Sequence, residues 1–433
     1  MKKLSLLFIL CCCFIPFQTI AQEDFEKGAP TDPLQMFRQG QDKEAAEQII
    51  GPIYWAEGFG NTFMIRGKEA NLIIDTSMPF NAERHKELLR KINDKPTRYI
   101  ILTHGHKDHR GGVSVWKEEE TEVIAHENFE EFRHYQERLA PFFNRRGNAQ
   151  FNTRNPDREA QGNYAAEIEA DLFVEDSLIL KWEELTIKIY HAPGETYDHL
   201  NVWIPELKAA FVGDNFYRSF PNIYTLRGTK PRWALDYVQS LDRVLGWEPD
   251  VLIPSHGPAL KGKEKIEKLV KKYRDVILYV HDETVRGMNE GKAVEQLMRE
   301  IKLPPSLSFG GTYGKIAWSI RGIYEGYSGW FDANPSSMYS SGPESVYPDL
   351  VEMMGGLNKL NEKIEYYIGE KKYEKALHLA DIGLTYDPVH RKTLLLKKEV
   401  LSLLLQGSQN VNEKGWLSFG IREIDSIISG NNK

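Results

Sequence analysis

Between residues 49 and 260 short apolar runs alternate with turns and with stretches whose apolar positions recur at helical spacing. Residues 61–65 and 71–75 read as neighbouring strands joined by a Gly67-Lys68 turn. Residues 83–92 read as a helix with one apolar face, suited to covering a sheet. Residues 99–102 form a compact buried strand, and 185–190, 200–204, 209–212 and 251–253 are further strands. After Gly262 the period changes. Residues 266–289, 293–301 and 313–327 read as helices, with Gly291 and Pro304-Pro305 as breakers. Residues 351–354, 357–368, 373–386 and 390–405 follow as helices with short connections. The 373–405 stretch has the spacing of one tetratricopeptide-like repeat, which alone supplies packing or an interface rather than an array. Residues 129–166 are polar, aromatic and without clear period, and read as an inserted loop or helical flap over a site. The pattern predicts an α/β unit over residues 22–262 and an all-α unit over 263–433.

The chain has 433 residues, 41% hydrophobic and 27% charged, as expected of a soluble globular protein with more than one unit. A net charge of -7 gives no basic footprint for nucleic acid, so an anionic substrate needs a local positive site, which metal ions can supply. Lys2 and Lys3, an apolar run over residues 6–14 and Thr19-Ile20-Ala21 have the form of a signal peptide cleaved after Ala21. The expectation is a periplasmic or secreted protein that is not inserted in the membrane after cleavage. Cys11, Cys12 and Cys13 all lie inside that signal, where Leu10 is a poor neighbour for a lipid-modified cysteine. The mature chain then has no thiol, which excludes disulfides, thiolate ligands and cysteine nucleophiles. Any metal site must be built from histidine and carboxylate.

Directly after the 99–102 strand stands Thr103-His104-Gly105-His106-Lys107-Asp108-His109. Three histidines and an aspartate so close together cannot all be satisfied core residues. His104 and His106 alternate on an extended segment and can bind one ion, while Asp108 and His109 at the following turn can reach a second. More ligands must come from elsewhere. His199 follows Pro193-Gly194-Glu195-Thr196-Tyr197-Asp198, Asp214 follows the 209–212 strand, and His256 lies in Pro254-Ser255-His256-Gly257. Each sits at a strand end beside a glycine, the place where loops on a rigid sheet carry catalytic groups.

His-x-His-x-Asp-His, a later Pro-Gly-x-Thr-x-x-His, then Gly-Asp and Ser-His-Gly resembles the metallo-β-lactamase superfamily. That resemblance implies an αββα sandwich of two facing mixed sheets, with helices outside and metals at one edge. It also implies two zinc ions. His104, His106 and His199 would hold one, Asp108, His109 and His256 the other, with Asp214 and a water or hydroxide between them. Asp75, after Leu72-Ile73-Ile74, would orient a ligand histidine from behind.

A narrower resemblance, to the alkylsulfatases, rests on Asn222-Ile223-Tyr224-Thr225-Leu226-Arg227-Gly228, Tyr279-Val280-His281-Asp282, Gly329-Trp330-Phe331-Asp332-x-Asn334-Pro335 and Met353-Met354-Gly355-Gly356. It implies that the all-α unit is a helical dimerisation domain, that the protein is a homodimer, and that Asn222 and Arg227 bind a sulfate group. A guanidinium fork suits a pair of anionic oxygens. Two features depart from that family's pattern. Glutamates are usual there at the positions of His199 and Asp214, and a C-terminal sterol-carrier-like domain is expected to be lacking here. The implied activity is hydrolysis of an alkyl or related organic sulfate ester, a small anionic substrate, with Asp108, Asn222 and Arg227 as catalytic groups. A lactamase, lactonase or phosphoester hydrolase on the same fold is the alternative, and a metal-binding interaction protein a third reading. Trp318, Tyr324, Trp330 and Phe331 are expected at an interface or in a core, Tyr217 and Tyr224 as pocket-wall candidates, and Glu118-Glu119-Glu120 as a solvated turn.

Overall fold

The computed structural model describes residues 32–153 and 168–430. The expected signal peptide with its three cysteines, and the 154–166 part of the expected flap, lie outside the described residues.

Two sheets carry the α/β unit. The first contains β1 (Glu47–Ile50), β2 (Ile53–Ala56), β3 (Thr62–Arg66), β4 (Asn71–Ile74), β5 (Thr97–Ile101), β6 (Glu122–His126) and β7 (Leu172–Val174), in chain order across the sheet. It is antiparallel from β1 to β4 and parallel from β4 to β7. The second contains β8 (Ser177–Trp182), β9 (Leu185–His191), β10 (Leu200–Ile204), β11 (Ala209–Gly213), β12 (Val251–Pro254) and β13 (Leu260–Lys261), also in chain order. Only β11 and β12 are parallel there, joined through the crossover helix Ala234–Gly246.

The strands alternate between two apolar faces because both sides of each sheet are covered. Phe63, Ile65, Leu72 and Ile74 point between the sheets, where they meet Ile187, Ile189, Val202 and Phe211. Met64, Ile73, Ile100 and Val123 point outward onto Leu88 and Leu89 of the helix Pro79–Arg90 and onto Trp116. On the far side Trp203, Ala210, Val212 and Leu252 pack under Tyr237 and Leu241 of the crossover helix and under Tyr273 and Val276 of the long helix Lys263–Asn289. The result is the four-layer αββα sandwich, with a helical region after it.

Three features bear on the expectations from the sequence. The 129–150 stretch is regular: helices Phe129–Arg138 and Ala140–Gln150 meet at Leu139, with Pro141 near the start of the second. Glu118 is no free member of a solvated turn, because its carboxylate pairs with Arg90 at 2.7 Å and accepts the Thr97 N–H at 2.9 Å. A final helix, Val411–Ile428, completes the helical region and packs back onto Ala140–Gln150. Before it, helices Leu357–Gly369, Tyr373–Tyr386 and Arg391–Gly407 share an apolar core of Leu360, Ile364, Ala376, Ala380 and Val400.

Gly415 lets the last helix approach. A Cβ placed on it would lie 1.8 Å from the Gln150 carbonyl oxygen, whereas one on Gly369 would meet nothing. Gly415→Ala is therefore expected to cost about 1–3 kcal/mol through forced separation of the two helices. Gly369→Ala should stay within about 0.5 kcal/mol of the parent. Urea denaturation of both measures this, and a neutral Gly415→Ala would show that the helices part freely.

Candidate metal centre

The site lies where the ends of β4, β5, β11 and β12 converge. Asp75, one residue past β4, is fully buried with φ +54°, a conformation aspartate tolerates better than most residues. Its carboxylate accepts the Thr103 N–H at 2.8 Å, the Thr103 hydroxyl at 2.8 Å, the Ser255 hydroxyl at 2.8 Å and His109 Nδ1–H at 2.8 Å. One buried anion thus fixes the start of the histidine cluster, the end of β12 and the tautomer of His109, whose Nε2 is left pointing into the site.

Around that Nε2 the other groups gather. His109 Nε2 lies 3.5 Å from Asp214 Oδ2 and 3.7 Å from Asp108 Oδ2. His256 Nε2 lies 3.3 Å from Asp214 Oδ1 and 3.5 Å from Asp108 Oδ2. His104 Nε2 is 3.9 Å from Asp214 Oδ2 and 2.8 Å from His106 Nδ1. Three sets have their ligand atoms within 4.8 Å of one another: His104, His109 and Asp214; Asp108, His109 and His256; His106, Glu195 and Asp214. Asp214 is central to this arrangement, as a bridging carboxylate must be.

Six of the seven ligands expected from the sequence therefore converge. His199 stands apart. Its Nε2 accepts the Asp214 N–H at 3.1 Å, and its Nδ1 lies 3.2 Å from the Asn215 side-chain amide. In this geometry the His199 lone pair faces the Asp214 backbone, and burial lowers the imidazole pKa to about 3, as it lowers that of His104. Glu195, four residues earlier, brings a carboxylate oxygen within 4.8 Å of ligand atoms of His106 and Asp214. Sequence reading passed over it because it falls in the loop before His199. The adjoining Gly194, against which the Asn215 amide packs, was the available signal for a backbone held close to the site.

The electrostatics fit a cation. Burial, followed by the neighbouring His109, holds the His104 imidazole well below its usual range. Burial and then Arg227 and Arg232 do the same for His106. Neutral imidazoles with free lone pairs are what a metal needs. Burial lowers the proton affinity of His109, but Asp214, Asp108 and Asp75 overcome it and raise its pKa well above normal. Those carboxylates call for a positive charge at that point. Burial pushes Glu195 up to about 7, against the pull of Arg232, with which it forms a buried ion pair. His109 Nε2, Asp214 Oδ1 and Glu195 Oε2 are buried without a hydrogen-bond partner. Buried polar atoms seldom stay unsatisfied, and oxygen and imidazole donors of this kind suit a divalent ion such as zinc.

A cavity of about 460 Å³ opens over these groups. His106, Asp108, Glu195, Asp214, His256 and Arg227 form one part of its wall, and Met36, Phe37, Phe59, Met78, Phe143 and Phe151 another. Arg227 brings Nη2 to 3.4 Å from His106 Nε2. Tyr217 lines the cavity too, whereas Tyr224 packs beneath Gly322. Asn222 does not reach the wall. It is fully buried, its carbonyl takes the Arg232 guanidinium at 2.7 Å and its N–H donates to the Tyr217 hydroxyl. Its side-chain amide is buried with neither Oδ1 nor Nδ2 hydrogen-bonded.

Fold and ligand set together define the class. Residues 55–256 match the metallo-beta-lactamase superfamily, and residues 293–426 match the alkyl sulfatase dimerisation family. The chain is 30% identical over 394 residues to a linear primary-alkylsulfatase of a Pseudomonas species, covering 85% of this chain and 74% of that protein. It is 29% identical over 347 residues to an alkyl/aryl-sulfatase of Saccharomyces cerevisiae, covering 71% of this chain and 53% of that one. Among solved structures, a stereoselective inverting sec-alkylsulfatase from Pseudomonas sp. superposes with a TM-score of 0.80 at 21% identity, covering 94% of this chain and 70% of that chain. The chain belongs to the alkylsulfatase family.

Replacement of Glu195 and of His199 separates their roles. Glu195→Ala should lower the amount of divalent ion retained per chain after dialysis, and His199→Asn, which can still accept the Asp214 N–H, should retain it. Elemental analysis of both variants measures this, and loss of metal in His199→Asn alone would return the ligand role to His199.

Proposed function

We propose that this chain is a two-zinc hydrolase of organic sulfate esters. The observation that carries the reading is the meeting, in one cavity, of a clustered His/carboxylate set, the guanidinium of Arg227 and a wall of apolar side chains. Two zinc ions held by His104, His106, Asp108, His109, Glu195, Asp214 and His256 would supply a water that ionises near neutral pH and positive charge facing the ester.

The protein's own groups do the rest. Arg227 directs its fork at the sulfate oxygens, where charge is concentrated throughout the reaction. Phe59 and Met78 on one side and Phe143 and Phe151 on another take the organic group out of water. Asp75 keeps His109 in a single tautomer and His199 holds the backbone of Asp214, so neither ligand reorganises during turnover. Asp108 shares the site with His109 and His256 and serves as a ligand rather than as a separate acid or base.

The expected result is about two zinc ions per chain, as a binuclear hydrolase requires, with chelator-sensitive release of sulfate from alkyl or aryl sulfates. A panel that adds β-lactams, lactones and phosphodiesters checks it. Activity confined to one of those would keep the fold and replace the substrate.

We infer further that the protein is a homodimer through its helical region. Trp330, Tyr339 and Met353 are 77%, 73% and 83% exposed on the segment around the short helices Pro335–Met338 and Tyr347–Met353. Apolar side chains so displayed on one segment suit burial against a second copy. Light scattering should give twice the monomer mass, and Trp330→Ser with Met353→Ser should shift the protein towards monomer. Monomer mass in the parent across a wide concentration range would remove the inference.

A further inference from the structure

Arg227 stands on the loop between Asn222 and Gly228, which belongs to neither sheet, so its position must be set by something else. The structure supplies that from the insert. Gln150, the last residue of the helix Ala140–Gln150, is fully buried. Its Oε1 accepts the Arg227 N–H at 2.7 Å, and its Nε2 donates to the Thr225 hydroxyl at 3.2 Å. That same hydroxyl accepts Arg227 Nη1 at 3.2 Å. One carboxamide therefore ties the backbone of Arg227 to the residue that steadies its guanidinium. One turn earlier, Arg146 donates to the carbonyls of Leu226 at 2.6 Å and Arg227 at 2.8 Å. The loop turns away directly afterwards at Gly228, φ +102°.

The clamp is itself seated from the helical region. Gly415 sits against the Gln150 carbonyl, and Trp416 lies under the Arg146 guanidinium, 5.4 Å from its ring centre. Asn410 and Asn412 donate to the Tyr313 carbonyl at 2.9 Å each, which fixes another residue of the cavity wall. The last helix of the chain thus reaches the cavity through two chains of contacts.

We propose that Gln150, held in place by the C-terminal helix Val411–Ile428, is a positioning residue for Arg227. It does not itself line the cavity. Its effect is to fix where the guanidinium meets an anionic ester, and a shift of a fraction of an ångström there weakens charge stabilisation without disturbing the metal ligands. The inference rests on the reading of Arg227 as the sulfate-binding group.

A double-mutant cycle on octyl sulfate hydrolysis tests both and keeps them apart. Gln150→Met, similar in volume, is expected to lower kcat/KM roughly tenfold, with bound metal unchanged. Arg227→Met should lower it further. In the Arg227→Met background, Gln150→Met should make no additional difference, because the group it positions is gone. A merely structural glutamine would multiply the two losses, and that outcome overturns the proposal, as does parent activity in Gln150→Met. If Arg227→Met keeps parent activity, or the parent releases no sulfate, the reading of the site fails and the proposal with it. Should Gln150→Met not fold, Arg146→Met, which frees the Leu226 and Arg227 carbonyls, takes its place in the same cycle.

Discussion

The buried carboxylate of Asp75 is the interaction on which the rest of the site depends. An anion out of water costs several kcal/mol unless hydrogen bonds replace its hydration. Asp75 has four, from Thr103 twice, Ser255 and His109. Those donors come from the ends of β5 and β12, strands of opposite sheets, while Asp75 itself ends β4. The sandwich is thereby joined at its edge by polar contacts, although its interior is apolar. The neighbouring Ser77, also at positive φ, +61°, bonds through its hydroxyl to the Gly60 carbonyl at 2.5 Å. Backbone strain and buried charge both concentrate here, and the surrounding packed strands hold them in place.

Much of this was legible in the chain itself. The histidine cluster was readable because three imidazoles and a carboxylate after an apolar strand have few structural explanations, and Asp75 because it ends a strand beside them. The long strands and helices were readable by period. Strands such as β1 and β7 were not, because three or four residues at the edge of a sheet give too short a pattern to separate from a loop. The crossover helix Ala234–Gly246 was missed despite a clear apolar face, and the helix Val411–Ile428 because small and polar residues at Gly415 and Asn412 face its partner. Close helix packing of that kind leaves a weak hydrophobic signal in the sequence.

The placements of His199 and Glu195 show where local spacing stops being informative. Both residues stand in the loop between β9 and β10, and both are buried. A motif identifies the loop but not which side chain its turn aims inward. Here the turn places His199 against the Asp214 N–H, and Arg232 pairs with the Glu195 carboxylate beside His106 and Asp214. Long-range partners decided the outcome, and they are 15 and 37 residues away in the sequence.

Arg232 also explains why so much negative charge is tolerated. Asp108, Glu195 and Asp214 crowd one small volume, with Arg232 paired to Glu195 and Arg227 beside His106. Arg232 is buried and committed to Glu195 and the Asn222 carbonyl. Arg227 instead faces the cavity. Divalent ions among the carboxylates would reverse the sign of the field that an incoming ester meets, and Arg227 would extend that positive field towards the apolar wall. An ester with a small anionic head and an apolar body matches this gradient from end to end. A neutral lactone has no charge to use it, and a phosphodiester without an apolar body leaves the phenylalanine side of the cavity in water. The distribution of charge across the cavity, more than any single ligand, is the physical argument for organic sulfates over the other substrates of the same fold.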